Sequence, residues 1–145
     1  MTARIADIMT RSVAVIQQDD TLQHAAQKMQ SLNVGSLPVC DGDALVGVVT
    51  DRDITVRGVA TGMIAQESKV SDVMTEDVRW CAETDAVEQA MEAMGEAQVR
   101  RLVVLGENRK IVGIVSLGDL VTRQRAQIDE TLREISQPGL TAGAA

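Results

Sequence analysis

The sequence has 145 residues, a net charge of −7, 45% hydrophobic residues and 24% charged residues. This length predicts one ordinary globular domain, and the acidic balance argues against a general nucleic-acid binder, because binding to a phosphate backbone requires a basic surface. No apolar stretch approaches the roughly 18–20 residues that cross a bilayer, and the first residues lack the apolar core of a secretory signal, so we expect a cytoplasmic protein.

Residues that commonly bind metals are sparse. The chain has two cysteines, Cys40 and Cys81, and one histidine, His24. The cysteines form no C-x-x-C pair, so we expect no metal site and interpret Cys40 as a small core residue. A disulfide or a zinc site is the less favoured alternative. Five methionines, Met9, Met29, Met74, Met91 and Met94, fall at core-facing or strand-entry positions, so packing is favoured over a soft-metal site.

The sequence repeats itself with an offset of 65 residues, from Met9 to Met74. An insertion of one residue raises the offset to 66 from Gly47 to Gly113, and it falls in the loop at 106–108, where insertions are tolerated. Three pairs of segments carry the similarity: 8–10 with 73–75, 34–39 with 99–104, and 46–50 with 112–116.

Each repeat predicts the same order of elements, β-α-β-β-α. In the first repeat these are a strand over 13–16, an amphipathic helix capped by Thr21, strands over 36–40 and 45–50 joined by a tight D-G turn, and a helix over 51–59. In the second they are a strand over 78–81, a helix capped by Asp85, strands over 101–105 and 110–116, and a helix from Leu117 to about Ser136.

A single repeat of about 55 residues buries too little apolar surface to be stable by itself. We therefore predict a mixed α/β fold in which two repeats pack with pseudo-twofold symmetry around a cleft, a common location for ligands. Residues 1–66 would form repeat one with its lead-in and linker, 67–136 would form repeat two with a long last helix, and 137–145 would form a disordered tail.

The clearest local signal is a hydroxyl followed three residues later by an acid, in Thr50-Asp51-Arg52-Asp53 and again in Ser116-Leu117-Gly118-Asp119. Such a pair is typical of a helix capping box. A carboxylate at the end of a strand can also accept both hydroxyls of a ribose, and the N-terminus of the following helix favours phosphate. The preceding glycines, Gly47 and Gly113, would let a ligand or another backbone approach the strand.

On these motifs the chain resembles a tandem pair of cystathionine-β-synthase (CBS) domains of the stand-alone prokaryotic type, the regulatory unit often called a Bateman module. The matching segments are 7–10 and 72–75, the strand at 34–39, and the two Gly-x-x-[Thr/Ser]-x-x-Asp segments. The resemblance covers residues from about 5 to 123. It implies an adenine nucleotide (AMP, ADP or ATP, sometimes NAD or S-adenosylmethionine) bound between the repeats, with no required cofactor.

The resemblance implies two sites, and neither is favoured over the other. At site one, Thr50 and Asp53 would hold the ribose, with Thr10, Val34, Gly35 and Leu37 around the base. At site two, Ser116 and Asp119 would hold it, with Thr75, Val99 and Leu102. Arg100 and Arg101 are the first candidates for phosphate and Arg52 is a further one, because a guanidinium offers paired donors that match phosphate.

No pairing of a nucleophile with a base is visible, so we predict a non-enzymatic sensor whose bound nucleotide changes a separate partner protein or the protein's own assembly. The alternative is a structural or interaction protein that binds no nucleotide, and nucleotide hydrolysis is less favoured still. We expect a homodimer through the CBS repeats and the helix at 117–136, since the resemblance implies that such pairs commonly dimerise. Ile128, Leu132 and Ile135 recur at helical spacing without an evident partner and would contact the second chain. We expect neither a membrane nor a nucleic acid as partner.

Overall fold

The protein structure, a computed structural model, describes residues 3–136; the predicted tail at 137–145 lies outside the described residues. The first half contains β1 (Ile16–Gln17), α1 (Leu22–Leu32), β2 (Ser36–Asp41), β3 (Ala44–Thr50) and a π-helical segment (Asp53–Gly58). The second half contains β4 (Trp80–Ala82), α2 (Val87–Ala97), β5 (Arg101–Leu105), β6 (Ile111–Ser116) and α3 (Leu117–Ser136). The predicted mixed α/β fold with a repeated β-α-β-β-α order is confirmed.

Each half forms a three-stranded sheet, with strand orders β1-β2-β3 and β4-β5-β6. The first two strands of each sheet are parallel, and α1 and α2 supply the crossovers that parallel neighbours require. The second and third strands are antiparallel. A two-residue turn, Gly42-Asp43, joins β2 to β3, and Gly42 has φ of 64°. The inserted residue does lie in the longer connection from β5 to β6. Within residues 3–136, none of the helices combines the length and apolarity that a bilayer crossing needs.

The first strand of each sheet is shorter and begins later than predicted. β1 begins at Ile16 rather than at 13, and β4 begins at Trp80 rather than at 78. The ladder with β2 begins at Ile16, opposite Val39, and the ladder with β5 begins at Trp80, opposite Val103. The residues just before these strands remain outside the sheets, where 13, 14, 78 and 79 line a cleft.

The two predicted helix caps have different outcomes. Thr21 caps α1, since its Oγ1 accepts a hydrogen bond of 3.1 Å from the backbone N–H of His24. The prediction for Asp85 is wrong, because the N-cap of α2 is Ala86. Asp85 Oδ2 instead accepts from the N–H of Ala82 at 2.9 Å, which fixes the turn that precedes the helix.

The two hydrophobic cores exchange segments between the halves. We call residues 3–10 and 70–75 the lead-in segments. Ile5 and Met9 of the first lead-in pack in the core of the second half, and Val70 and Val73 of the second lead-in pack in the core of the first half. Each core is therefore completed by a lead-in segment that precedes the other half in sequence. The division at residues 66 and 67 stays a prediction about repeat boundaries.

Two glycines make room for these exchanged segments. A Cβ at Gly113 would lie 2.6 Å from Met9 Sδ and 2.9 Å from the carbonyl oxygen of Thr10. A Cβ at Gly47 would lie 2.8 Å from the carbonyl oxygen of Thr75. Of the two interpretations of these glycines, the structure shows the approach of another backbone.

Candidate functional site

An open cleft of about 1450 Å³ lies between the two sheets. Because side chains alternate along a strand, one set faces the core while the next set faces the cleft. One wall presents Ser36, Pro38, Val48 and Thr50 from β2 and β3, and the other presents Arg101, Val103, Ile114 and Ser116 from β5 and β6. Each wall thus combines apolar side chains with a hydroxyl at the end of its third strand.

Apolar side chains outside the strands extend these walls. They come from the stretches before β1 and β4, the end of α1, and the segments that lead into β2 and β5: Val13, Ala14, Val78, Leu32, Val34 and Val99. Such a lining can surround a flat apolar group, while the hydroxyls and charged residues contact polar parts of the same molecule.

Both hydroxyl–acid motifs form complete capping boxes. The N–H of Asp53 donates to Thr50 Oγ1 and the N–H of Thr50 donates to Asp53 Oδ2, each at 3.0 Å. Ser116 and Asp119 repeat this arrangement with two bonds of 3.1 Å. The structural interpretation of the motif is therefore correct for both copies. It is compatible with binding, since each box uses only one oxygen of its carboxylate.

The second carboxylate oxygen distinguishes the two motifs. Asp53 Oδ1 lies 3.9 Å from Arg57 Nε, and the Asp53 side chain is only 13% exposed. Asp119 lines the cleft. Within residues 3–136 it forms no ion pair. An oxygen that no arginine engages is the better acceptor for a ligand, so the geometry favours the second motif.

Three arginines line the cleft, namely Arg79, Arg100 and Arg101, and all three are exposed. Arg101 lies opposite Ser116 in the ladder of β5 and β6, and the carbonyl of Arg100 accepts from the N–H of Leu117 at 2.7 Å. These contacts hold two of the arginines next to the Ser116–Asp119 motif. In the described part of the chain, none of the three guanidinium groups has a hydrogen bond or an ion pair. Asp77 also lines the cleft.

Arg79 is missing from the sequence-based candidates. The sequence places it inside a predicted strand, which suggests no particular role. In the structure it precedes the ladder of β4 with β5 and lines the cleft. The signal that could have revealed it is its counterpart, Ala14, at the offset of 65. An arginine that replaces an alanine beside a cleft changes the charge of one wall.

Most of the predicted site residues do line the cleft: Thr10, Val34, Leu37, Thr50, Val99, Arg100, Arg101, Leu102, Ser116 and Asp119. Gly35, Arg52, Asp53 and Thr75 are not among the lining residues. Gly35 faces a neighbouring carboxylate instead, since a Cβ there would lie 3.2 Å from Asp51 Oδ2. The binding role of each residue remains a prediction.

The lead-in threonines lie in the opposite halves from those expected. Thr10 was grouped with Thr50, but its backbone pairs with that of Ile114, two residues before Ser116, with bonds of 2.8 and 2.9 Å. Thr75 was grouped with Ser116, but its backbone pairs with Val48 through two bonds of 2.9 Å. The cause is the exchange of the lead-in segments between the two cores.

Both cysteines are free and buried. Burial raises the pKa of Cys81 to about 11, with a contribution from the negative charge of Asp85, and burial with Asp43 also raises the pKa of Cys40. A raised pKa keeps a thiol protonated and unreactive. In the portion from 3 to 136, no group of three or more His, Cys, Asp or Glu side chains is placed to hold a metal ion.

Known proteins are similar to this chain in sequence and in fold. The family profile for the CBS domain matches residues 5–58 and 70–126. The CBS domain-containing protein YhcV of Bacillus subtilis is 39% identical over 120 residues, which make up 83% of this chain and 84% of YhcV. Hypoxic response protein 1 of Mycobacterium tuberculosis is 36% identical over 120 residues, 82% of each chain. The fold and the matched residues thus define a tandem CBS pair, and the chain belongs to the CBS domain family.

Solved structures agree with this assignment. The crystal structure of Hypoxic Response Protein I, with two coordinated zinc ions, has a TM-score of 0.74 and 32% identity, covering 83% of this chain and 98% of that one. The crystal structure of CBSX2 in complex with AMP has a TM-score of 0.71 and 27% identity, covering 87% of this chain and 98% of that one.

Proposed function

We propose that the protein is a non-enzymatic regulatory module that binds an adenine nucleotide in the cleft, with the ribose held by Ser116 and Asp119. One observation carries this proposal: the second motif opens onto a cleft that combines apolar walls with arginines that have no side-chain partner among residues 3–136. An adenine base needs apolar surroundings, a ribose needs an acceptor, and phosphate needs cations. CBSX2, a relative in fold, is described in complex with AMP, which supports this class of ligand.

The proposed chemistry at the second motif uses groups that the capping box leaves available. Asp119 Oδ2 accepts the N–H of Ser116, so Oδ1 is the oxygen that would accept the ribose hydroxyls. Gly118 also lines the cleft, and its missing side chain leaves the N-terminus of α3 accessible. The positive end of a helix dipole favours an anion there.

Calorimetric titration with AMP, ADP, ATP, NAD and S-adenosylmethionine tests the proposal. Asp119→Asn keeps the size of the side chain but weakens acceptance from two hydroxyls, so we expect affinity to fall about 10- to 100-fold. Asp53→Asn is the matched control, because it alters the equivalent capping box at an acid that does not line the cleft. It should lower stability by about 1 kcal/mol, as Asp119→Asn should, and leave affinity unchanged.

Three results would contradict this assignment. Unchanged affinity in Asp119→Asn would remove the ribose from the second motif. A loss of nucleotide affinity confined to Asp53→Asn would place the ribose at the first motif, as the resemblance also allows. Failure of the parent protein to bind any of the five compounds would favour the alternative of an interaction protein that binds no nucleotide.

The proposal extends to assembly and location. Ile128, Leu132 and Ile135 of α3 are 54%, 56% and 60% exposed and lie at helical spacing. Exposed apolar residues in one row are typical of a contact surface, and we assign this row to a second copy of the chain. In this proposal the nucleotide acts in the cytoplasm on a separate effector protein or on the dimer itself.

A further inference from the structure

The two sheets meet directly at one end of the cleft. The backbones of Ala44, which begins β3, and Lys110, which immediately precedes β6, pair as an isolated antiparallel bridge. Beside this bridge, Arg109 Nη2 donates a long hydrogen bond of 3.5 Å to the carbonyl oxygen of Leu45. Among residues 3–136, the lining that β3 and β6 supply to the cleft comes from the later residues of both strands. The bridge therefore lies at the closed end of the cleft, away from the hydroxyl–acid motifs.

Arg109 also contacts the first strand of the second half. Its guanidinium carbon lies 5.7 Å from the ring centroid of Trp80, within the range of a cation–π interaction. Trp80 is paired with Val103 in the ladder of β4 and β5, so their side chains share one face of the sheet, and Val103 lines the cleft. One guanidinium thus connects a carbonyl of the first sheet with the cleft-facing side of the second. We call these two contacts, of Arg109 with Leu45 and with Trp80, the clamp.

The loop that carries Arg109 has an uncommon backbone conformation. Asn108 and Arg109 have φ of 58° and 60°, in the left-handed region that residues other than glycine rarely adopt. Asparagine enters this region more easily than arginine does. Such a conformation persists only where surrounding contacts maintain it, and it is frequent at sites with a function. The same loop contains the residue by which the second repeat is longer than the first.

The clamp occurs once in a molecule whose two halves share one architecture. The positions equivalent to Trp80 and Arg109 are Val15 and Asp43, at offsets of 65 and 66. The first sheet forms with neither an arginine nor a tryptophan at these positions, and a two-residue turn joins its second and third strands. The fold of a half therefore does not require the clamp, so a role confined to building the second sheet does not account for a contact that reaches the first.

We infer that Arg109 is a positioning residue, which holds the two sheets together at the closed end of the cleft and so fixes the spacing of the walls that receive the ligand. The inference rests on the proposed function for the ligand itself. From Ile111 to Ser116, β6 extends over roughly 17 Å at ~3.4 Å per residue, so Arg109 acts without touching a ribose at the second motif. Walls that are already held at one spacing need not be ordered when the ligand binds, and this preorganisation increases affinity.

Pulsed electron paramagnetic resonance on the full chain measures this spacing. Spin labels on Gln30→Cys and Glu92→Cys, at exposed positions of α1 and α2, report the distance between the halves, and both native cysteines are buried. We expect a narrow distribution of distances in the parent protein and a broader one in Arg109→Gln. Lys110→Gln is the matched control and should leave the distribution unchanged, because it removes the same charge from the neighbouring position and keeps the guanidinium that stacks on Trp80.

Trp80→Leu tests whether the clamp acts through the indole ring. It should broaden the distribution as Arg109→Gln does, and the double variant should add little, because both substitutions remove the same contact. Calorimetric titration then measures the effect on the ligand. We expect Arg109→Gln to bind AMP about 3- to 10-fold more weakly than the parent, and Lys110→Gln to bind it equally well.

The outcomes separate the clamp from the proposed function. Unchanged distances in Arg109→Gln, or the same broadening in Lys110→Gln, would overturn the clamp. Broader distances with unaltered affinity for AMP would overturn the role of Arg109 in positioning. A parent protein that binds none of AMP, ADP, ATP, NAD and S-adenosylmethionine would contradict the proposed function and the positioning role with it. The distance measurement needs no ligand, so the clamp itself would still be supported or overturned by the distances.

Discussion

Gly113 shows how one absent side chain permits the exchange of lead-in segments. In Gly113→Ala the new Cβ would meet Met9 Sδ at 2.6 Å and the carbonyl oxygen of Thr10 at 2.9 Å. A flexible thioether can move, but a paired backbone carbonyl cannot move cheaply, so we expect a loss of about 1–3 kcal/mol in the free energy of unfolding. Urea denaturation measures this loss.

Gly95→Ala is the matched control for that substitution. Gly95 lies within α2, and a Cβ there would meet nothing within 4 Å. Alanine should therefore stabilise the helix by roughly 0.5–1 kcal/mol. A Gly113→Ala protein as stable as the parent would show that the lead-in is not held tightly against β6.

The raised pKa of Cys81 predicts a loss of stability at alkaline pH. The side chain is 4% exposed, and its pKa rises from 9.0 to about 11 on folding. The folded chain thus holds the thiol proton more tightly than the unfolded chain, so the contribution is complete below pH 9 and is lost as pH rises to about 11. It amounts to at most about 2–3 kcal/mol. From pH 9 to pH 11 the free energy of unfolding should fall more for the parent protein than for Cys81→Ala. An equal fall in the two proteins would contradict this prediction.

At the residue scale, local pairs were predictable and contacts distant in sequence were not. Ser116 and Asp119 are three residues apart, so their hydroxyl–acid motif is visible in the sequence and in its repeat. The partners of Thr10 and Thr75 depend on which lead-in enters which core, and spacing carries no information on that choice. Arg79 was missed for a related reason: whether it lines the cleft depends on the residue at which the ladder of β4 with β5 begins.

At the element scale, α3 is longer than its half of the molecule requires. Its 20 residues span about 30 Å at 1.5 Å per residue, and its outer part carries the row of Ile128, Leu132 and Ile135. If a second chain covers this row, Leu132→Asp places a charge in the interface and should convert dimers to monomers. Light scattering at tens of micromolar measures this change.

Glu134→Gln provides the control for the assembly experiment, because it alters an exposed polar residue of the same helix turn. The control should scatter as a particle of twice the mass of one chain, as the parent should. A monomeric parent at that concentration, or a dimeric Leu132→Asp variant, would contradict the assignment of this surface to a second copy.

The elements themselves were predicted to different degrees. The start of α3 at Leu117 agrees with its apolar periodicity, and Asp41-Gly42-Asp43 marks the turn between β2 and β3. The first strand of each half was placed too early because residues 13–16 and 78–81 look like short strands in the sequence. Only pairing with β2 or β5 distinguishes a strand from an extended segment at a cleft, and such pairing is a tertiary property.

For the whole molecule, duplication allowed the architecture to be predicted from sequence. Two copies of one element order, each too small to bury its own apolar face, must pack together. The cleft between them follows from this packing. The unequal charge of its walls was visible in the sequence, where Arg100 and Arg101 occupy the positions equivalent to Gly35 and Ser36. Only the structure shows which of these residues line the cleft.

The exchange of lead-in segments has a consequence for synthesis on the ribosome. The core of the first half is complete once Val73 has emerged, whereas Ile5 and Met9 belong to a core that also contains Leu120. These two residues are made about 115 residues before that partner, which is roughly 6–23 s at ~5–20 residues per second. During this interval the first half can condense while its own N-terminal segment remains exposed. A second nascent chain nearby could then offer the core that this segment lacks, so the order of synthesis favours swapped dimers when many copies are made together.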